Sequence, residues 1–214
     1  MVLIGTKAPG ITSIYKFYGK HWDEEVDKEY GNFDYLMGAD IDLNNFDVIN
    51  ELKKWGIWFL NTTGVDCFRL DAIKHIRTDF FVEWLNYLRQ NTGKELFAVG
   101  EYWSADVKLL NKYINETKGN MSLMDVALHF NFYRASTSDG EFNMSSIFED
   151  TLVGTNPKKA VTFVDNHDTQ LNQALESWVL DWFKPLAYSL ILLRKDGLPC
   201  VFYGDYYGTR RCFT

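Results

Sequence analysis

Apolar and polar positions alternate along this chain in two registers. Phe46, Ile49, Leu52, Ile57 and Leu60 recur near helical spacing, which predicts a helix running to about residue 61, capped by Asn44 or Asn45 and closed by Gly64. Residues 65–70 change to period two: Phe68 and Leu70 alternate with Arg69 and Asp71, so a strand here carries its charged pair on one face and its apolar pair on the other. A second helix is expected from Thr78 or Asp79 to Gly93, with Phe81, Trp84, Leu85 and Leu88 as its core stripe. Then come a strand over 96–100, a helix over 104–115 capped by Ser104 with Val107, Leu110 and Ile114 inward, and a short strand over 123–127 in which Asp125 points away from Met124. Residues 129–156 read as helical patches broken at 136–140, residues 160–164 as a strand, and residues 178–195 as a helix kinked by Pro185. A last strand is expected over 201–203, whereas residues 1–44 show no sustained period and read as an irregular excursion. Strands alternating with helices at this spacing predict βα units and a parallel sheet.

Three of the predicted strands end in chemistry. Residues 65–71 deliver Arg69 and Asp71, residues 96–103 deliver Glu101 before Tyr102 and Trp103, and residues 160–168 deliver Asp165, Asn166, His167 and Asp168. An Arg beside a carboxylate at one strand end is an ordinary structural ion pair, and Asp168 before Thr169 and Gln170 is an ordinary helix cap. Three apolar strands that each release a carboxylate at the C-terminal end describe the active face of a (β/α)8 barrel, where reacting groups come from the ends of different strands.

These stretches resemble the second, third and fourth sequence regions of the α-amylase family of glycoside hydrolases, and the wording from about Ile14 to about Gly208 is similar to the bacterial liquefying type. The resemblance implies an incomplete TIM barrel, about strands four to eight, with residues 1–44 as the remnant of an inserted calcium-binding loop domain, residues 45–208 as barrel, and residues 209–214 as a tail outside the family pattern. It implies Asp71 as nucleophile, Glu101 as general acid and base and Asp168 as third carboxylate, with Arg69, Lys74, His75, Trp103 and His167 touching substrate or supporting the acids. The implied reaction is retaining hydrolysis of internal α-1,4-glucosidic bonds in starch, glycogen and maltooligosaccharides. It also implies structural Ca2+ held by Asp23, Asp34, Asp40 and Asp42 with the backbone carbonyl of His75. The rival reading is a catalytically silent piece or a non-catalytic carbohydrate-binding relative.

Composition narrows this little further. A formal charge of -7 disfavours nucleic acid, whose phosphates want a basic face, and suits cation binding. The 16% of aromatic residues suits stacking on sugar rings. Asp40, Asp42, Asn44 and Glu51 partly match a helix-loop-helix calcium loop, but Asn45 replaces the turn glycine and Asp47 the apolar position. Cys67, Cys200 and Cys212 form no paired motif, so reduced thiols are expected. No run reaches membrane-spanning length and residues 1–4 are too short for a signal core, so a cytoplasmic protein without membrane partners is expected, or a secreted one if sequence precedes Met1.

Overall fold

The computed structural model describes residues 3–8 and 11–15, by their backbone, and residues 41–208. The chain divides into two compact units, Met1–Phe68 with Ala72–Phe97 and Arg69–Asp71 with Ala98–Thr214.

In the first unit, β1 (Leu3–Ala8) pairs antiparallel with β2 (Ile11–Tyr15), placing Ile4 opposite Ile14 and Thr6 opposite Thr12. Within residues 1–44, where no sustained period was expected, residues 3–8 and 11–15 are paired strands. The β-branched Ile4, Thr6, Ile11, Thr12 and Ile14 favour extended backbone even where polarity does not alternate. Helix α1 (Phe46–Thr63) starts where the Asn45 side chain accepts the Asp47 N–H and ends at Gly64, whose φ of 71° lets its N–H reach the Leu60 carbonyl. Helix α2 (Thr78–Thr92) is capped by neither Thr78 nor Asp79. Arg77 holds the cap position without a side-chain cap, its guanidinium going instead to Asp79 and to Asn44 at 2.7 and 2.6 Å. Between the two helices the Trp84 indole donates to the Leu52 carbonyl at 3.0 Å. Gly56 permits the close approach: a Cβ there would stand 2.8 Å from Leu88 and 2.9 Å from Trp84.

The second unit is organised on a five-stranded sheet in the order β3 (Cys67–Leu70), β4 (Phe97–Gly100), β5 (Ser122–Met124), β6 (Ala160–Phe163), β7 (Leu198–Cys200), the first two strands beginning in the other unit. Val99 pairs with Ser122, Leu123 with Ala160 and Val161 with Leu198, all parallel. All four residues of β6 are buried, as a parallel sheet covered on both faces requires. The helices are α3 (Val107–Glu116), α4 (Val126–Thr137), α5 (Leu152–Thr155), α6 (Lys184–Leu193) and α7 (Tyr203–Tyr207).

Four expectations are corrected here. Asp106, not Ser104, caps α3 through the Lys108 N–H, while Ser104 accepts the Asp106 N–H. The strand expected over 123–127 stops at Met124 because Asp125 becomes the cap of α4. The long helix over 178–195 shrinks to α6, and Pro185 does not kink it: in the first turn a residue without an N–H costs no internal hydrogen bond. The last strand is Leu198–Cys200, and Tyr203 opens α7 instead of ending a strand. No helix among the described residues is long and apolar enough to cross a membrane.

Candidate active site

Arg69, next to last in β3, sets the geometry of the strand ends. Its Nη1 lies 2.8 Å from Asp71 Oδ1 and its Nη2 lies 2.9 Å from Glu101 Oε1. Sequence reasoning expected a guanidinium gripping Asp71 alone; it is shared between two acids. The Glu101 N–H donates to the Leu70 carbonyl at 2.8 Å, which fixes the register of the two strand exits. Asn166, just past β6, donates from Nδ2 to Glu101 Oε1 at 3.4 Å, and its Oδ1 accepts the N–H groups of Asp168 and Thr169 at 2.9 and 3.0 Å. His167 Nε2 stands 3.3 Å from Asp168 Oδ2. One connected path therefore runs Asp71, Arg69, Glu101, Asn166, Asp168, His167. No helix follows Asp168 for it to cap; the bonds to Asn166 Oδ1 close a turn instead.

Burial separates the three acids. Glu101 is 5% exposed, while the Asp71 side chain is 67% exposed and that of Asp168 32%. A buried acid held from two sides suits proton delivery at a fixed point. An exposed carboxylate beside a guanidinium suits attack on an incoming carbon. Trp103 is half-buried, its ring packed on His129, Phe130 and Phe163 at centroid distances of 5.7, 5.9 and 6.4 Å. Lys74 and His75 lie in a 3-10 turn of the first unit (Ile73–His75); Lys74 is buried and His75 is half-buried.

For metal, Asp23, Asp34 and Asp40 lie outside the described residues, as does Cys212. Asp42 is exposed, and its Oδ1 accepts the Asn44 N–H at 2.9 Å. Among the described residues no three His, Cys, Asp or Glu side chains gather closely enough to hold a metal ion, so Asp42 and His75 alone do not make a calcium site. Cys67 and Cys200 are free thiols.

Sequence reasoning passed over a buried polar cluster next to the loop after β6. Asp165 is 2% exposed; burial pushes its carboxyl up to about 7, against the pull of Lys184. Lys184 Nζ pairs with Asp165 Oδ2 at 2.8 Å and also with Asp205, and Tyr188, its hydroxyl pushed up by burial, donates to Asp205 at 2.6 Å. His129, fully buried, donates from Nδ1 to the Val164 carbonyl at 2.6 Å, and the Ser177 hydroxyl stands 2.8 Å from its Nε2.

Burial pushes His129 down to about 4, from 6.5 in an open chain, and the Lys184 charge adds to this. The unfolded chain therefore takes up this proton first, and stability present above pH 6.5 is lost as pH falls toward 4, about 3 kcal/mol for a shift of this size. Asp165, pushed up to about 7, works the opposite way and gains stability as pH falls. The readout is therefore the difference between wild type and His129→Gln in urea denaturation. That difference should shrink by about 3 kcal/mol between pH 6.5 and pH 4; a constant difference would mean that the imidazole already titrates normally in the fold.

Residues 5–212 match the family model for the alpha amylase catalytic domain. The chain is 58% identical to an alpha-amylase of Geobacillus stearothermophilus over 200 residues, covering 92% of this chain and 36% of that protein. It is 55% identical to a glucan 1,4-alpha-maltohexaosidase of a Bacillus species over 197 residues, covering 91% of this chain and 38% of that protein. Among solved structures, the alpha-amylase of Geobacillus thermoleovorans complexed with acarbose superposes with a TM-score of 0.60 at 21% identity, over 82% of this chain and 40% of that one. The chain thus spans less than two-fifths of the length of these two sequence relatives. Five strands in parallel order, with carboxylates at the exits of β3 and β4 and in the loop after β6, are part of a (β/α)8 barrel, and the chain belongs to the alpha-amylase family, within its catalytic domain.

Proposed function

We propose that this chain carries the reacting groups for retaining hydrolysis of internal α-1,4-glucosidic bonds in starch, glycogen and maltooligosaccharides. The observation that carries the reading is the single guanidinium shared by Asp71 and Glu101. Retaining glycosidases flank the bond with two carboxyl groups roughly 5 Å apart, and one Arg in contact with both favours such proximity. Asp71 attacks the anomeric carbon while Glu101 protonates the departing oxygen; Glu101 then removes a proton from the water that releases the glycosyl-Asp71 ester. Arg69 balances the charge as it passes from one acid to the other. Asp168 and His167 bind hydroxyls of the sugar being cleaved, and Trp103 offers its exposed edge to a neighbouring unit. Structural Ca2+, held by Asp23, Asp34, Asp40, Asp42 and the His75 carbonyl, is part of the same proposal and takes no part in these steps; the resemblance and the acidic composition support it.

The test is product analysis. On soluble starch, internal cleavage should shorten chains without early glucose, and proton NMR should show α-anomers first. Release of β-anomers would rule out two displacements at one centre. The assay and the unfolding temperature are read with Ca2+ and with EDTA; a temperature unmoved by EDTA removes the metal from the proposal. The rival reading is carbohydrate binding without turnover. Tight binding of acarbose with no hydrolysis would establish that reading in place of the first.

A further inference from the structure

Asp168 sits in a loop of 20 residues, 164–183, that contains no helix or strand. Loops of this length are rarely rigid by themselves, yet the Asp168 carboxylate has to be placed to a fraction of an ångström to grip a sugar. The loop is stitched across its base: Leu175 N–H donates to the Asp168 carbonyl at 3.2 Å and Ser177 N–H to the Thr169 carbonyl at 3.1 Å. Both sides of that base converge on one carboxylate. Asp165 Oδ1 accepts the Thr169 hydroxyl at 2.9 Å and the Val179 N–H at 3.3 Å. The Thr169 hydroxyl accepts the Asn166 N–H at 3.0 Å in turn, and Thr169 and Val179 are both fully buried. Asp165 Oδ2 faces Lys184 at the start of α6, whose ammonium also lies 2.9 Å above the ring of Trp178, another loop residue, and reaches Asp205 of α7.

We propose that Asp165, Thr169 and Lys184 form a clamp that sets the position of the Asp168 carboxylate, making them positioning residues for the reaction. The inference rests on the reading of Asp168 as a substrate-binding acid. None of the three has to touch sugar. They act through Asn166, whose side chain holds the Asp168 N–H on one side and Glu101 on the other. The Thr169 hydroxyl is the link between the charged cluster and that asparagine.

Thr169→Val keeps the shape of the side chain and removes its donor and acceptor; Thr169→Ser keeps both. In Thr169→Val, kcat on starch should fall about tenfold and Thr169→Ser should recover most of it, while in an Asp168→Ala background the same Val change should alter kcat less than about twofold, because there is no carboxylate left to misplace. The Asp168 and Thr169 amides should exchange with deuterium at least about tenfold faster in Thr169→Val, with those of β4 and β5 unchanged. A full tenfold loss in the Asp168→Ala background, or unchanged exchange at the two amides, would overturn the clamp. If wild type shows no turnover, the hydrolase reading falls, and the exchange measurement alone decides whether the clamp exists.

Discussion

Glu101→Ala should slow starch cleavage by about 10^2- to 10^4-fold, the usual contribution of a positioned proton donor, while leaving substrates with a good leaving group nearly unaffected in their first step. Such substrates do not need the departing oxygen protonated, so the glycosyl ester on Asp71 accumulates. Azide added to this variant should restore turnover by entering the space left by the acid and attacking the ester, giving an α-glycosyl azide. Asp71→Ala removes the attacking carboxylate, and azide then acts in the first displacement from the opposite face, giving a β-glycosyl azide. The pair of outcomes assigns the two roles separately, which activity loss alone does not. If both variants gave the same anomer, the two roles would not divide as assigned; if azide rescued neither while both stayed folded, Arg69 would be bridging two acids of purely structural purpose. Folding has to be checked in each variant, because either change leaves the guanidinium with a single carboxylate.

Asp125→Ala should be the most destabilising single change in the second unit. The Asp125 carboxylate is fully buried and accepts three backbone N–H groups: Leu128 at 3.1 Å, Leu152 at 3.0 Å and Val153 at 2.7 Å. It thus caps α4 and also takes the first two N–H groups of α5, whose own cap is Thr151, at ends where unpaired N–H groups favour negative charge. Burial pushes this carboxyl up, and the three N–H groups pull it back. Alanine would leave all three donors buried and unpaired at about 1–3 kcal/mol each, not fully additive, so a loss of roughly 3–6 kcal/mol is expected in urea denaturation. Asp125→Asn keeps one acceptor oxygen and should lose about half as much. A loss below about 1 kcal/mol for the alanine variant would show that water replaces the carboxylate, and the shared cap would not be what joins the two helices.

The acids at the strand exits were legible because the information is local. A strand that ends in a charge announces itself within five or six residues, as at Arg69 and Asp71, Glu101 and Asp168, and the family resemblance supplied the proposed roles. The buried polar contacts were not legible, for they depend on segments far apart in sequence. Asp125 could be seen to point away from Met124, but the second helix whose N–H groups it accepts lies 27 residues on. Asp165 was only one polar residue in a run; its meaning comes from Lys184 and Asp205, brought by two other elements. Residues 178–183 mixed Trp178, Val179, Leu180, Trp182 and Phe183 with the start of a real helix, and apolar content by itself does not separate a packed loop from a helix. Pro185 carried the missing signal, since proline is at ease in a first turn. Lys74 was read by its charge, whereas the fold buries it in a turn.

Because the loop after β6 is tied at its base, between Asp168 and Leu175 and between Thr169 and Ser177, its outer part is relieved of any duty toward the carboxylate. Leu171, Asn172, Gln173 and Ala174 are all exposed beyond that tie. Here sequence and even length can change without disturbing the bonds at the base of the loop. The fold keeps an adaptable fingertip on an unmoving knuckle.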